Sequence, residues 1–466
     1  MEKLLRTMGS MKKKYLQVWL ILALMIQGCV SSPNMVKPTQ TQVVVTPSPL
    51  VSSSTIALPT QSTYGQSSTM TPTFATNETA TSTLEPTQTV LKSCLTVLAG
   101  LPPEKTYPGI IVLLGVNNNP GGSYDTYSYD LSSHQILSMA PFKAFGVAVS
   151  PDGTKYAVLD PGDSQIRIYS LYGALLKTVD KGQYDYAIDQ WLDDAHIALV
   201  VNQPEPGVAN YLKYPADEVV INVLNGEKTM LFADYPGIGG DVSMQWEGRS
   251  TTKYDPTFSL VVYPTSLKVD SLKYVEAYAL YDRINRVTIA QKAVGQYTTI
   301  PIWSPDGSKF VINDTNGDGE FYVITRDGKI SKISHINDGI SNKDLSKMKA
   351  SERYSWSPDG RYLALWLETL KLEKGSVETT FAILDTETGK MTDYCISGGL
   401  TLQSFGGGLI STLYKPYWSP DGKSVVTVAN RQENGNFDVV LIDLAGGFAS
   451  KIADNLVPRG WLDSAK

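Results

Sequence analysis

Downstream of about Tyr107 the apolar residues fall in short runs, often alternating with polar ones, and a turn signal cuts each run. Nowhere does the three-to-four spacing of an amphipathic helix persist. The pattern predicts β-strands, and the turns between them repeat. Ser-Pro-Asp-Gly recurs at Ser150 to Gly153, Ser304 to Gly307, Ser357 to Gly360 and Ser419 to Gly422, three times directly after Trp (Trp303, Trp356, Trp418). Pro presets the backbone at the second turn position and Gly accepts a positive φ, so a strand ending at Trp turns back into a strand such as Lys309-Phe310-Val311-Ile312. A second hairpin follows each of these: Ile166 to Tyr169 turns at Tyr172-Gly173, Val219 to Val223 at Asn225-Gly226, Phe321 to Ile324 at Asp327-Gly328, Phe381 to Leu384 at Thr388-Gly389, and Phe437 to Ile442 at Gly446-Gly447. Two hairpins make one four-stranded blade, and a period near 50 residues predicts an all-β propeller.

Degenerate copies fill the gaps. Trp191-Leu192-Asp193-Asp194 keeps the Trp and an acidic turn, and Trp246 is read as the start of another blade before Phe258 to Tyr263. Ile110 to Val116, Tyr124 to Leu131 and Gln135 to Met139 supply three strands, and Arg459 to Asp463 supplies a single strand that resembles the first of a blade. The C-terminal strand is therefore expected to complete the first blade and so remove the open sheet edges. Anchors at 149, 191, 246, 303, 356, 418 and 461 give seven blades, or six if the Trp246 region is an insertion.

The N-terminal part has a different texture. Beginning at Met1 or Met11, Lys12 to Lys14 precede the apolar run Tyr15 to Ile26, too short for a mature bilayer span, and Ile26-Gln27-Gly28-Cys29 resembles a bacterial lipobox. Residues 1–29 are thus expected to be a signal peptide, with Cys29 lipidated and the protein held outside the cytoplasm. Residues 30–92, rich in Ser, Thr, Pro and Gln, cannot bury enough surface to fold, and read as a stalk; 93–466 form the propeller. A flexible coil of about 60 residues reaches on the order of 45 Å. With a net charge of −6 and no basic block beyond the signal peptide, nucleic acid is excluded as an expected partner. Of three Cys, Cys94 and Cys395 remain as a pair once Cys29 is lipidated, either bonded to each other or both free.

The Trp-Ser-Pro-Asp-Gly copies resemble the WD-like repeats of the TolB propeller family, over roughly Tyr107 to the C-terminus. That resemblance implies a structural role for the turn acids Asp152, Asp306, Asp359 and Asp421. The separate N-terminal α/β domain of TolB itself has no counterpart here. Similar propellers precede prolyl-oligopeptidase-type hydrolase domains, but neither a Gly-x-Ser-x-Gly elbow nor such a domain is present. Others of this type resemble lyases with His-bound metal. In the blade layout His134 and His196 fall on one face and His335 on the other, so the three are not expected to converge. The stretch Asp314-Thr315-Asn316-Gly317-Asp318-Gly319-Glu320 opens like a calcium loop, with Asp314, Asn316 and Asp318 as the ligands, yet Thr325 stands where the bidentate Glu belongs. A plain hairpin loop is favoured, and no cofactor is expected.

Connection lengths point to a face. Turns between first and second and between third and fourth strands are short and share one face. The long excursions, 117–123, 202–217, 233–242, 263–271, 335–353, 368–378, 397–415 and 430–436, belong to the other. Tyr235, Tyr414 and Arg431 are the candidate contacts there. No catalytic constellation assembles, so the expected role is a non-enzymatic binding or scaffold module for a protein or glycan of the cell envelope, touching the membrane only through its lipid anchor. A polysaccharide-active, lyase-like propeller or a Tol-system-like envelope component is the alternative.

Overall fold

The computed structural model describes residues 90–115, 123–144, 146–160, 165–180, 185–202, 218–231, 253–268, 274–295, 301–314, 318–336, 348–351, 353–371, 376–402, 414–432 and 435–463. All belong to the compact unit Thr81–Lys466. Within it, no helix occurs among the described residues, and the strands form seven sheets arranged as a β-propeller. From the inner strand outwards, blade 1 is Leu456–Leu462, Ile110–Gly115, Tyr124–Asp130 and Gln135–Ala144. Blade 2 is Gly146–Val149, Lys155–Leu159, Gln165–Ser170 and Leu175–Asp180, and blade 3 is Asp185–Trp191, His196–Asn202, Glu218–Asn222 and Lys228–Leu231. Blade 4 is Lys253–Tyr254, Leu260–Lys268, Tyr274–Asp282 and Val287–Ala293, and blade 5 is Ile302–Trp303, Lys309–Asn313, Phe321–Thr325 and Ile330–Lys332. Blade 6 is Ser355–Trp356 with Met348–Ala350, then Tyr362–Lys371, Ser376–Asp385 and Met391–Leu402; blade 7 is Tyr417–Trp418, Ser424–Ala429, Asp438–Asp443 and Phe448–Asp454. The C-terminal strand pairs with Ile110–Gly115, which closes the ring as the sequence predicts.

The repeated motif does two jobs. Inside each turn the Ser hydroxyl donates to the Asp carboxylate (2.6 Å at Ser304 and at Ser419) and accepts the amide five residues on, such as Lys309 N at 3.2 Å. The same carboxylate takes the amide two residues on, at 3.0 Å for Thr154 and 3.1 Å for Ser308 and Lys423. The turn acids are therefore spent on their own backbones. Between blades, the inner-strand Trp indole N–H of blades 3, 5, 6 and 7 reaches a carbonyl on the inner strand of the preceding blade: Trp191 to Ala148 at 3.0 Å, Trp303 to Lys253 at 3.2 Å, Trp356 to Ile302 at 3.0 Å and Trp418 to Ser355 at 3.1 Å. Around these bonds the facing sheets share apolar cores, as where Leu260, Val262 and Tyr278 of blade 4 meet Trp303, Phe310 and Ile312 of blade 5. Each such fully buried aliphatic side chain contributes about 1.5–3 kcal/mol.

Three features differ from the sequence reading. The described inner strand of blade 4 is Lys253–Tyr254, which puts Tyr254 directly before the turn, and Trp246 lies outside the described residues. Asp255 there stands in for the motif's Ser, accepting Leu260 N at 2.7 Å and, fully buried, the Arg326 guanidinium at 2.8 Å, so the turn Asp255-Pro256-Thr257-Phe258 needs no Ser-Pro-Asp-Gly. Second, parts of the presumed loops are strand. Blade 4 pairs from Leu260↔Asp282 out to Lys268↔Tyr274, and blade 6 from Tyr362↔Asp385 out to Lys371↔Ser376. Pro264 hid the first of these. It lies beyond Lys253↔Val262, so among the described residues its missing N–H breaks no inner-strand bond.

Third, the segment assigned to the end of the stalk already belongs to the propeller. Leu91–Lys92 adds as a parallel outer strand to blade 6 (Leu91↔Thr392, Lys92↔Asp393), and Thr96–Leu98 adds likewise to blade 7 (Thr96↔Phe448 to Leu98↔Ser450). Between them Cys94 forms a disulfide with Cys395, Cα–Cα 4.8 Å and 301 residues apart. Val90 and Leu95 fill apolar gaps beside it. This strap then leads across blade 7 to the second strand of blade 1.

Candidate functional site

The strap ends at a cleft, and the closure explains why the cleft exists. In blades 2 to 7 a covalent turn joins the inner strand to the second strand, and successive turns stack: a Cβ built on Gly307 would lie 2.8 Å from Pro256 Cδ, and one on Gly360 3.6 Å from Ser304 Cβ. In blade 1 these two strands come from opposite ends of the unit, one ending at Asp463 and the other beginning after Pro108. The place of the missing turn is a cleft of about 410 Å³ lined by Lys105–Pro108, Ser419–Asp421, Lys423, Asp443, Gly446, Trp461 and Asp463.

Asp443, at the end of the third strand of blade 7 and 5% exposed, organises one wall. It accepts the Tyr107 hydroxyl at 2.8 Å and Gly446 N at 2.6 Å, and the Lys105 ammonium stands 3.7 Å away. Burial, reinforced by the hydrogen bond to Asp443 and by its charge, pushes the Tyr107 phenol well above its ordinary range, so Tyr107 is a neutral donor there. On the other wall Lys423 and Asp421 are both open to solvent and 3.6 Å apart. Burial pushes the Asp421 carboxyl up, but the Ser419 hydroxyl and the Lys423 amide and charge outweigh it and hold it below the usual carboxylate range. The Trp461 indole donates to Pro108 O at 3.1 Å and the Asp463 amide to Gly153 O at 2.8 Å, which fixes the floor. The cleft therefore offers exposed Lys, carboxylate and backbone groups on a rigid frame, suited to hydrogen-bonding a polar segment.

The residues singled out from the sequence lie elsewhere. Tyr414 is half-buried: its ring packs 5.8 Å from that of Phe437, and its carbonyl accepts the Trp366 indole at 3.2 Å. Arg431 is also half-buried, its backbone forming an isolated parallel bridge with Gly399 that laces blade 7 to blade 6. Cys29, Tyr235 and Asn316 fall outside the described residues. Asp314 accepts Gly295 N at 2.7 Å and stands 3.7 Å from the Lys292 ammonium; Asp318 accepts Glu320 N at 3.0 Å and the Tyr322 hydroxyl. Among the described residues no three His, Cys, Asp or Glu are grouped to hold a metal ion. His134, His196 and His335 sit on blades 1, 3 and 5, and His196 is taken up by Asp193 at 2.8 Å and Asn222 at 3.2 Å. Sequence reasoning missed Lys105, Tyr107, Lys423, Asp443 and Asp463. The signal was available in the closure itself: a first blade assembled from both chain ends lacks one turn.

No protein-family profile matches the chain, and no curated protein matches it. Among solved structures it is similar to an oligogalacturonate lyase in complex with manganese, at 13% identity over 74% of this chain and 85% of that one, with a TM-score of 0.40. It is similar to an oligogalacturonate lyase from Vibrio parahaemolyticus at 13%, covering 74% and 86%, with a TM-score of 0.42. A hydrazine synthase from Kuenenia stuttgartiensis matches at 14%, covering 76% and 96%, with a TM-score of 0.39. These likenesses are too distant to carry a residue or a reaction to this chain.

Proposed function

We propose that the chain is an exported, lipid-anchored binding module that presents the seam cleft between blades 7 and 1 to a polar segment of an envelope protein or glycan. Cys29 carries the lipid, and the residues between it and Val90 form the tether. The cleft left by the missing turn carries this reading. It interrupts the motif's regular stacking on the turn face, and its walls combine Lys105 and Lys423 with Asp421 and Asp443 around a neutral Tyr107 hydroxyl. Rigid concave sites with a few convergent polar groups are where ligands bind. The test uses the full-length protein against a panel of envelope polysaccharides and solubilised envelope proteins. Thr106→Trp, which fills the cleft, and Lys423→Glu are expected to weaken capture about tenfold, roughly 1.4 kcal/mol, with the melting temperature unchanged. Unchanged capture by both variants would remove the cleft from the reading. Turnover of any polysaccharide in the panel would replace binding by catalysis.

A further inference from the structure

The turns between third and fourth strands lie at the outer radius of the same face, and they differ around the ring. Their tips are Tyr172 in blade 2, Leu224 in blade 3 and Ile284 in blade 4, exposed to 79%, 70% and 76%. The equivalent tips in blades 5, 6 and 7 are Asp327, Glu387 and Ala445. Beside the apolar tips Leu175, Leu176 and Val287 are also more than half or about half exposed, at 53%, 57% and 50%. Two of these turns are held without their tip side chains. The blade 3 turn is set by Asn222, whose side chain accepts Leu224 N at 2.9 Å, and the blade 4 turn by Asp282, which accepts Ile284 N at 2.9 Å and Asn285 N at 2.8 Å. Tyr172, Leu224 and Ile284 with Leu175, Leu176 and Val287 thus group six exposed large apolar side chains on blades 2 to 4, and such a grouping marks an interaction surface.

The charges around them say which. Lys228 and Arg286 are exposed on the turns of blades 3 and 4, and Lys177 spans blades 2 and 3 by donating to Leu224 O at 2.6 Å, whereas Arg283 turns onto Phe258 O at 2.6 Å. The two carboxylates of these turns are engaged within them, Asp282 as described and Glu227 with the Asn225 amide group at 3.3 Å. The apolar tips also stand singly on separate turns rather than lining one groove, which matches a flat, fluid surface. We propose that the tips of blades 2 to 4 form a membrane-facing edge that inserts Tyr172, Leu224 and Ile284 into the boundary between headgroups and acyl chains of an anionic bilayer, with Lys228 and Arg286 meeting lipid phosphates beside Lys177. This is a contact with the bilayer beyond the acyl anchor, and it would orient the propeller with its turn face towards the membrane.

The experiment compares two positions on one chain, so its outcome does not depend on whether Cys29 is acylated. Full-length protein carrying Leu224→Trp or Glu387→Trp is mixed with vesicles of phosphatidylcholine and phosphatidylglycerol whose acyl chains are brominated, and the added Trp emission is read against the parent protein. Emission from position 224 is expected to be quenched and that from position 387 not, with the quenching lost in pure phosphatidylcholine. Hydrogen exchange on the unmodified protein guards against a variant that folds poorly: the peptides covering 171–174, 223–226 and 283–286 should exchange about tenfold more slowly on the mixed vesicles. Equal quenching at the two positions, or no quenching at 224 together with unchanged exchange, overturns the proposal. Protection of these turns by a soluble envelope protein but not by vesicles overturns it too.

Discussion

On the turn face blades 2 to 7 repeat one solution: a Ser or Asp holds a tight turn, and in blades 3, 5, 6 and 7 a Trp indole bonds back to the previous blade. On the opposite face blade 4 projects a hairpin to Lys268↔Tyr274, blade 6 carries strands of 10, 10 and 12 residues, and blade 7 is laced to blade 6 through Gly399↔Arg431. Repetition marks residues that serve the fold, and the two sites proposed above are the irregularities of the repeated face, the missing turn at the seam and the apolar tips of blades 2 to 4.

The contrast can be broken by glycine substitutions. Gly307 and Gly435 both hold a positive φ, +65° and +85°, but a Cβ at Gly307 meets Pro256 at 2.8 Å while one at Gly435 meets nothing within 4 Å. Gly307→Ala is expected to cost about 3 kcal/mol in denaturant unfolding and Gly435→Ala about 1. Equal costs would mean that the turns do not bear on one another. Replacing Cys94 and Cys395 together by Ser should remove about 2 kcal/mol, at the low end for a disulfide because the strap can lift without unfolding the blades; protease cutting near residues 90–98 would report it. Trp356→Phe should cost about 1 kcal/mol by leaving Ile302 O without its donor. Turn carboxyls give a pH signature. Burial pushes the Asp152 carboxyl up, but hydrogen bonds from Ser150, Thr154 and Lys155 outweigh it and bring it to about 2 from an ordinary value near 3.8; Asp306 is also lowered. Because the folded value is the lower one, this stabilisation is complete above pH 4 and is lost as pH falls towards 2. Asp152→Asn should flatten the melting temperature profile in that window and leave the profile above it parallel to the parent's. The smallest effect is a null: with Asp314 and Asp318 engaged by Gly295, Glu320 and Tyr322, added Ca²⁺ is expected to leave the melting temperature unchanged, and an upward shift would reinstate the calcium loop.

Architecture was legible because the turn chemistry is local. Pro at the second position and Gly at the fourth announce the inner hairpin of four blades, and the period they set, together with the degenerate copies, gives the number of blades. Tyr254 escaped notice because Asp255 reproduces the Ser's hydrogen bonds with a different side chain, so the geometry recurs where the letters do not. Outer strands of two and three residues, such as Leu91–Lys92 and Thr96–Leu98, are too short to show alternation, and their pairing is supplied wholly by the edges they join. The cleft was the least legible feature, since Lys105, Lys423 and Asp443 meet only when distant parts of the chain close the ring. Tyr414 and Arg431 drew attention as polar residues at the ends of long connections, and the packing of Tyr414 on Phe437 and the bridge at Arg431 depend on neighbours that one-dimensional reading does not reveal.

The strap also determines how the propeller would bear a mechanical load. Tension applied from the N-terminal side of Val90 enters through Leu91–Lys92 along the outer edge of blade 6, where the paired backbones are loaded in shear, and at Cys94 it passes by a covalent bond into the outer strand of the same blade. Thr96–Leu98 on blade 7 and the seam of blade 1, which no covalent bond closes, lie downstream of that bond. A pull from the N-terminal side is thus diverted before it reaches Lys105 to Pro108.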